Sequence, residues 1–349
     1  MPFYKSIKND TPAGKRTIEG LLRLKEALDV KIPSKQLDTR LLLATWNIRE
    51  FGGTKYGGRD EEALFYLSEI ISRFDLIAVQ EVRDNLDALD ALMSKLGGWW
   101  RYLVSDVTLG LQGNHERMAY IYDTRKLSFG GLAGELTPPM AKEGDTLVLN
   151  SAFARSPYLA GFRAGWFKFT ICAQHLYYGD PKPDDPQRLK ESQMAVDLLK
   201  ERMKSSDTWA YNSILVGDFN IFSTNDQTFL ALEKANFILP DSVRGQYTNL
   251  KLDKPFDQIA FLAPDVERQM KQVAGGVFPF LDYVYRDSDA PVYQPEIGDS
   301  VYFDWRTYKM SDHLPLWVEL FVDFGTEYLQ RKLAAPVPPV PPVTPVTPS

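Results

Sequence analysis

Short apolar or alternating runs recur along the middle of this chain, and they restrict its fold more than any other feature. Each run has the length and composition of a β-strand, and turn residues such as Gly and Pro separate the runs. Several of the intervening segments have the apolar spacing of amphipathic helices. Mixed elements of this kind predict an α/β fold in which two sheets carry helices on their outer faces. The predicted strands are 41–48, 76–81, 118–122, 166–175, 213–218, 256–262 and 315–322.

Four segments are predicted to be helical, and the clearest is 60–74. Its apolar residues fall on one face, and acidic residues occupy its first turn, where they complement the helix dipole. The other predicted helices are 18–28, 86–96 and 187–203. Together these patterns predict an N-terminal helical extension over 1–37 and a globular domain over 38–325. The segment 334–349 consists mostly of Pro, Val and Thr, which predicts a disordered tail that is either a spacer or a docking site for a Pro-reading partner.

The overall charge limits how the chain could bind a polyanion. The 349 residues carry a net charge of -6, which excludes binding of nucleic acid through bulk positive charge. Any polyanion must therefore be bound by a local basic site or through metal ions. The single cysteine, Cys172, excludes an internal disulfide bond. The sequence shows no secretory leader and no continuous apolar run long enough to span a membrane, so we expect a cytoplasmic monomer without a membrane span. An exported protein whose leader has already been removed is the alternative.

Polar side chains concentrate at the ends of four predicted strands, which is where α/β sheets place ligand chemistry. An acid that follows an apolar strand must be solvated, paired or bound to metal. A carboxylate beside a carboxamide suits a hard cation or an oriented water, and a histidine suits proton transfer near neutral pH. Strand-end acids that simply reach water, and histidines with structural hydrogen bonds, are the alternatives. The residues at these four boundaries are Asn47, Arg49, Glu81, Arg83, Asp218, Asn220, Asp312 and His313, and His175 ends a further predicted strand.

Taken together, the strand endings resemble the endonuclease/exonuclease/phosphatase superfamily, and most closely its deoxyribonuclease I-like branch. The resemblance rests on the joint order of several motifs across residues 46–315 and not on any single motif. It implies a four-layer α/β/β/α sandwich of two packed mixed sheets, with one cleft for a phosphoester at their shared edge. The motifs are Trp-Asn-Ile-Arg-Glu-Phe-Gly, Val-Gln-Glu-Val-Arg-Asp, Ala-Gln-His-Leu, Gly-Asp-Phe-Asn, Phe-Asp-Gln-Ile and Ser-Asp-His-Leu-Pro.

The resemblance implies a divalent-metal site. Glu81 resembles the metal-binding glutamate of the family, with Asn47 and Asp312 at the same or a neighbouring metal position. These hard oxygen donors suit Mg²⁺, with Ca²⁺ or Mn²⁺ as alternatives. The sequence has no cluster of Cys and His residues that would indicate zinc.

The resemblance also implies two pairs of histidine and acid. His313 resembles the histidine that abstracts a proton from water, and Asp257 resembles the carboxylate that orients it. His175 resembles a second histidine near the leaving oxygen, with Glu116 as its acidic partner. Which histidine is the acid and which is the base stays open. Asp218 and Asn220 resemble groups that hold the phosphate or the nucleophile and that help to bind metal.

Substrate contacts follow from the same resemblance. Arg49, Arg83, Arg155 and Thr248 resemble residues that contact DNA in the deoxyribonuclease I-like branch. Asn114 stands where that branch has a tyrosine that stacks in the minor groove, so single-stranded DNA or RNA is an alternative to duplex. We expect a metal-dependent endonuclease that acts on DNA. A phosphatase or phosphodiesterase of small or lipid-linked phosphates and an inactive binding module for nucleic acid or protein are the alternatives.

Overall fold

Two mixed β-sheets form the centre of the structure, a computed structural model that describes residues 2–109, 114–143, 146–148, 153–262 and 271–334. Within these residues the first sheet has six strands and the second has five. In spatial order, the first sheet contains β12 (Lys271–Val277), β13 (Leu316–Phe321), β1 (Arg40–Phe51), β2 (Leu76–Arg83), β4 (Glu116–Asp123) and β3 (Trp100–Val104). The second contains β11 (Asp257–Leu262), β10 (Asn212–Asp218), β9 (Phe167–His175), β8 (Tyr158–Ala164) and β5 (Ser128–Glu135). In a separate two-stranded sheet β6 (Ala141–Glu143) pairs antiparallel with β7 (Thr146–Val148).

Each sheet contains one central parallel pair of strands. In the first sheet β1 runs parallel to β2 and antiparallel to β13. In the second sheet β10 runs parallel to β9 and antiparallel to β11. Because parallel strands end at the same edge of a sheet, the polar residues that end β1 and β2 are neighbours. The same holds for the residues that end β9 and β10.

Alternating side chains of the strands fill two different cores. In β1, Leu41 and Leu43 pack between the two sheets, whereas Leu42 and Ala44 pack against helices of the outer layer. In β10, Leu215 likewise packs toward the helices of the second sheet. This period of two is intrinsic to a strand. Because each fully buried aliphatic side chain contributes roughly 1.5–3 kcal/mol, the alternation holds the sheets face to face and the helices outside them.

Helices cover the outer face of each sheet. The first sheet shares a core with α1 (Pro12–Lys31), α2 (Glu61–Ile71), α3 (Asp87–Leu96), α6 (Ala290–Ile297) and α7 (Tyr302–Lys309). The second sheet shares a core with α4 (Pro186–Lys204) and α5 (Gln227–Lys234). After β13, α8 (Gly325–Ala334) buries none of its residues. The order of layers is helix, sheet, sheet, helix, which confirms the predicted α/β/β/α sandwich.

All seven predicted strands occur in the structure, with ends displaced by a few residues at most. The sequence did not predict four strands of the two large sheets, β3, β5, β8 and β12, or the short strands β6 and β7. Three of these, β3, β5 and β12, lie at the edges of the sheets. Both β5 and β12 contain adjacent glycines and few buried side chains, so the apolar alternation that signals a strand is weak in them.

The first helix is longer than predicted, because α1 begins at Pro12 and not near residue 18. Thr11 caps the helix by accepting a hydrogen bond from the Gly14 amide at 3.0 Å, and Pro12 occupies the first helical turn. Leu24 and Leu28 are fully buried in the core that α2 shares. The leading helix is therefore packed onto the sandwich.

Beyond the sandwich, Ala334 ends α8, and the rest of the predicted tail, 335–349, lies outside the described residues. None of the helices within the described ranges is both long and apolar enough to cross a membrane.

Candidate active site

The predicted catalytic and metal-binding residues meet at one edge of the sandwich, where the loops of both sheets converge. Asn47 and Glu81 lie near the ends of the parallel strands β1 and β2. On the second sheet, Asp218 is in register with His175 of β9 on one side and with Asp257 of β11 on the other. The topology alone therefore brings carboxylates and a histidine to a common edge.

Backbone conformations at this edge are unusual. Gly217 has a φ of 131°, and a Cβ atom at this position would lie 1.9 Å from the carbonyl oxygen of Gln174. Only glycine permits this close approach of β10 to β9. Glu81 and Asn220 also have positive φ values, of 61° and 49°, a conformation that costs a side-chain-bearing residue on the order of 1 kcal/mol. Such strain persists only where the surrounding contacts enforce it.

His313 and Asp257 form a buried pair. Nδ1 of His313 lies 2.8 Å from Oδ2 of Asp257, which is fully buried. Thr248 Oγ1 accepts a hydrogen bond from the Asp257 amide at 3.0 Å, and Ser311 Oγ accepts one from the His313 amide at 3.0 Å. Burial alone would lower the pKa of His313, but the Asp257 and Asp218 carboxylates raise that pKa well above its ordinary value. The Asp257 carboxylate therefore favours the tautomer with a proton on Nδ1 of His313, which leaves Nε2 facing Asp218.

His175 and Glu116 form a second buried pair. Nδ1 of His175 lies 3.1 Å from Oε2 of Glu116, and Arg155 Nε lies 2.7 Å from the same oxygen. Asn114 donates a hydrogen bond to Oε1 of Glu116 at 2.8 Å. Burial alone would raise the pKa of Glu116, but the hydrogen bond and charge of His175 and the charge of Arg155 lower it to about 2. Glu116 is consequently a permanent anion behind the imidazole.

Asp218 lies between the two histidines. Its Oδ2 is 3.5 Å from Nε2 of His175 and 3.8 Å from Nε2 of His313, and it accepts a hydrogen bond from Asn47 Nδ2 at 3.0 Å. Its Oδ1 accepts a hydrogen bond from the Asn220 amide at 2.8 Å, while the Asn220 side chain donates to the carbonyl of Leu176 at 2.8 Å. Both imidazoles thus turn their free Nε2 atoms toward one point.

Each histidine pair bridges the two sheets. His175 ends β9 of the second sheet and Glu116 begins β4 of the first. His313 precedes β13 of the first sheet and Asp257 begins β11 of the second. The site therefore depends on the packing of the sheets against each other and could not form on either sheet alone.

The predicted metal ligands include a hydrogen-bonded pair. Asn47 Nδ2 donates to Oε1 of Glu81 at 2.9 Å, and the Glu50 amide donates to Oε2 of Glu81 at 2.8 Å. Within the described part of the chain, Oδ1 of Asn47 is buried and has no hydrogen-bond partner. Burial raises the pKa of Glu81, and the charges of Glu116 and Asp312 raise it further. An unpartnered amide oxygen beside mutually repelling carboxylates fits a hard divalent cation.

Asp312 is more exposed than the other predicted ligands. Its side chain is 41% exposed, and its carboxylate lies 3.7 Å from Arg49 Nη1. A second set of donor atoms, on Asp218, Asp257 and His313, lies within 4.8 Å of one another and is another arrangement that could hold a cation. That set differs from the predicted one, and the hydrogen bond between Asp257 and His313 already occupies part of it.

The predicted substrate-binding residues differ in their surroundings. Arg155 contacts Glu116, and Arg83 donates to the Asn114 carbonyl and lies 3.3 Å from Glu50. Arg49 donates to Thr307 and Tyr308. Thr248 is fully buried behind Asp257, so the structure places it in support of that carboxylate and away from the open surface.

Two supporting residues were not predicted. Ser311 donates a hydrogen bond to the Asn47 carbonyl at 2.6 Å while it accepts from Arg49 and His313, so it ties β1 to the segment before β13. Arg59 is half-buried, desolvation lowers its pKa to about 10, and it donates to the carbonyls of Glu50 and Met310. Ser311 directly precedes the Asp-His dipeptide, which could have indicated it. Arg59 has no such signal in the sequence.

A four-layer sandwich with carboxylate-backed histidines at its shared edge is an arrangement suited to a hydrolase. The chain belongs to the Endonuclease/Exonuclease/phosphatase family, whose sequence profile matches residues 44–313. The site lies within this matched region.

Named relatives are similar over different lengths. Deoxyribonuclease-1 of Bos taurus is 29% identical over 194 residues, which are 53% of this chain and 62% of that protein, so the chain spans less than two thirds of it. Deoxyribonuclease-1 of Oryctolagus cuniculus is 26% identical over 302 residues, which are 82% of this chain and 94% of that protein. A solved structure of an endonuclease/exonuclease/phosphatase family protein from Bacteroides thetaiotaomicron has a TM-score of 0.56 at 18% identity, over 82% of this chain and 96% of that one. At this identity the likeness concerns the fold alone.

Proposed function

We propose that this chain is a divalent-metal-dependent endonuclease that hydrolyses phosphodiester bonds of DNA by in-line attack of water. The observation that carries the proposal is the convergence of two carboxylate-backed histidines on Asp218, at 3.5 Å and 3.8 Å. Hydrolysis of a phosphodiester needs a base on the side of the attacking water and an acid on the side of the leaving oxygen. Two such pairs facing one point provide both groups. The similarity to deoxyribonucleases supports DNA as the substrate.

In this mechanism the pair of His313 and Asp257 activates water. The hydrogen bond at Nδ1 fixes the tautomer, so that Nε2 is the atom that can exchange a proton with water near Asp218. Asp218 orients the water because its Oδ2 faces His313 Nε2. Thr248 and Ser311 position the pair through the Asp257 and His313 amides.

The pair of His175 and Glu116 then serves the leaving oxygen. Glu116 faces Nδ1 of His175 and orients the ring, so that Nε2 can donate a proton to the leaving oxygen. Arg155 lies 2.7 Å from the same oxygen of Glu116 and holds that carboxylate in place.

Glu81, Asn47 and Asp312 would hold the cation. Their donor set fits a hard ion, and Mg²⁺ is the ion that we propose, with Ca²⁺ or Mn²⁺ as substitutes. A bound divalent cation would neutralise charge on the phosphate oxygens and offset the carboxylates that raise the pKa of His313. Asn47 contributes in addition by linking Glu81 to Asp218, since its amide group donates to both carboxylates.

A second candidate is a phosphatase or phosphodiesterase for small or lipid-linked phosphates. This candidate is favoured because two arginines that were predicted to contact DNA already have protein partners. Arg155 contacts Glu116, and Arg83 contacts Glu50 and the Asn114 carbonyl. Arginines with protein partners are less available to a long polyanion. The alternative of an inactive binding module receives no support from the site, since both histidines retain their carboxylate partners.

A substrate panel tests the proposal. The wild-type protein is incubated with supercoiled plasmid, a single-stranded oligonucleotide, RNA and p-nitrophenyl phosphate, each with Mg²⁺ and with EDTA. We expect Mg²⁺-dependent nicking of the plasmid that EDTA abolishes. Release of phosphate from the monoester without cutting of DNA would replace the proposal with the second candidate. No hydrolysis of any substrate would overturn both.

A further inference from the structure

Two tyrosines and two cations form a surface beside Asp312 that the proposed mechanism does not use. The Arg49 guanidinium lies 4.0 Å from the centre of the Tyr308 ring, and the Lys55 ammonium lies 4.3 Å from the centre of the same ring. Both cations donate to the Tyr308 hydroxyl at 3.1 Å. The Tyr56 ring meets Tyr308 edge-on at 5.4 Å. We call these four residues the tyrosine ledge.

The loop that carries Lys55 and Tyr56 is held in a fixed shape. Tyr56 has a φ of 54°, and Gly57 and Gly58 follow with φ values of 78° and 71°. Lys309 donates to the carbonyls of Tyr56 at 3.3 Å and Gly58 at 2.7 Å. A non-glycine residue at positive φ persists only when its surroundings enforce it. The loop is thus preorganised, which lowers the entropy that it would lose on binding a ligand.

The ledge begins at the proposed site and leads away from it. Arg49 follows Asn47 by two residues in β1, and its Nη1 lies 3.7 Å from the Asp312 carboxylate. Lys55 is exposed at the outer end of the ledge. Among the described residues Lys55 forms no salt bridge, and the partner of its ammonium is the neutral Tyr308 hydroxyl. An exposed cation held in place without a counter-charge is suited to bind an anion.

We propose that the tyrosine ledge binds the nucleic-acid strand next to the scissile bond, with Lys55 contacting a neighbouring phosphate and Tyr56 packing against the adjacent sugar or base. The inference rests on the proposed function, because a ledge of this kind is useful only for a polynucleotide. Basic side chains interleaved with aromatic rings are the combination that tracks single strands. Lys55 would therefore add a contact with nucleic acid that does not depend on Arg83 or Arg155, which are already paired with acids.

The alternative is a purely structural role, in which Lys55 only stabilises its own loop by packing on Tyr308. The two interpretations differ in the dependence of affinity on salt. Each phosphate that a protein neutralises adds about 0.7–0.9 to the slope of log affinity against log salt concentration. A lysine with a purely structural role adds nothing to that slope.

The test compares Lys55→Ala with Lys190→Ala, an exposed lysine of α4 on the opposite outer layer. Affinity for a fluorescent single-stranded oligonucleotide is measured by anisotropy in EDTA across a salt series. We expect Lys55→Ala to weaken binding by about 3- to 10-fold at low salt and to reduce the slope by about 0.7–0.9, with Lys55→Arg restoring it. Lys190→Ala should match the wild type. An unchanged slope in Lys55→Ala would overturn the inference.

Kinetics separate this inference from the proposed function. With Mg²⁺, Lys55→Ala should raise KM for the oligonucleotide and leave kcat unchanged. The p-nitrophenyl ester of thymidine monophosphate has no neighbouring phosphate, so its hydrolysis should be the same in both proteins. A wild-type protein that cuts no nucleic acid overturns the proposed function, whereas a loss of the ester reaction in Lys55→Ala overturns the ledge as a binding surface distinct from the catalytic centre.

Discussion

Replacement of Asp257 by Asn isolates the contribution of the carboxylate behind His313. The substitution keeps the size of the side chain and the backbone amide that donates to Thr248 at 3.0 Å. It removes the charge that faces Nδ1 of His313 at 2.8 Å. A carboxamide that donates to Nδ1 would also favour the tautomer in which Nε2 carries the proton, and such a ring cannot accept one from water.

The expected loss follows from these two changes. Burial lowers the pKa of His313, and the charge of Asp257 is the largest effect that raises it. The pKa of His313 should therefore fall in Asp257→Asn. The loss of general-base action and of the correct tautomer should lower kcat by about 10²- to 10⁴-fold, which corresponds to about 3–5 kcal/mol in the activation free energy. KM should change little, because the carboxylate is fully buried and contacts His313 and not the solvent.

The assay is the initial rate of plasmid nicking in Mg²⁺, together with thermal unfolding of each variant. Asp241→Asn is the matched control, since Asp241 is exposed and the chemical change is the same. Asp241→Asn should retain the wild-type rate, and both variants should stay folded. A folded Asp257→Asn protein whose rate lies within about threefold of the wild type would refute the assignment of His313 and Asp257 as the water-activating pair.

Three further predictions concern metal, packing and pH. Mg²⁺ should raise the melting temperature of the wild type, and Glu81→Gln should abolish that rise because it removes the carboxylate that we assign to the ion. Gly217→Ala should lower the free energy of unfolding by about 3 kcal/mol or more in urea denaturation, because its Cβ would meet the Gln174 carbonyl oxygen at 1.9 Å. Burial alone would raise the pKa of Asp123, but Arg125 and Lys35 lower it from an ordinary 3.8 to about 2. The Asp123 carboxylate should therefore stabilise the protein by roughly 1–2 kcal/mol above about pH 4. This stabilisation should disappear as the pH falls toward 2.

Each of these predictions has a control. Glu61→Gln, an exposed change at the start of α2, should leave the effect of Mg²⁺ intact, and an unaltered Mg²⁺ response in Glu81→Gln would contradict the metal assignment. Gly134→Ala adds a Cβ that meets no atom within 4 Å, so it should be far milder than Gly217→Ala. Asp123→Asn should lose stability at pH 7 and converge with the wild type near pH 2, and a constant difference across the pH range would show that the carboxylate charge is not the cause.

Much of the fold could be predicted from the sequence because its central strands are apolar on both faces. The runs around Leu43 and Leu215 were recognisable because each such strand packs against a sheet on one side and helices on the other. The edge strands β5 and β12 gave no comparable signal, since Gly130 and Gly275 approach Trp209 and Ser242 and bring no apolar side chain of their own. Packing at those positions depends on residues that are distant in sequence, so the local sequence does not indicate a strand there.

The site was predictable to a different degree at different positions. Asn47 and Glu81 were expected at one metal position because they resemble ligands of the family, and the structure brings them together because β1 and β2 are parallel. The contact of His313 with Asp257, which lies 56 residues away, followed only from resemblance to a family, as no local pattern encodes a contact across two sheets. The burial of Thr248 and the two cations on Tyr308 were not predictable, because both depend on how distant loops close over the sheet edge.

The central claim is that two carboxylate-backed histidines at one site cut a phosphodiester bond with the help of a divalent ion. The most direct measurement is nicking of supercoiled plasmid by purified, folded wild-type, His175→Ala and His313→Ala proteins, each with Mg²⁺ and with EDTA. The account predicts rapid nicking by the wild type in Mg²⁺, none in EDTA, and a loss of at least about 100-fold in either variant. Wild-type nicking that persists in EDTA, or that survives undiminished in both histidine variants, would contradict it.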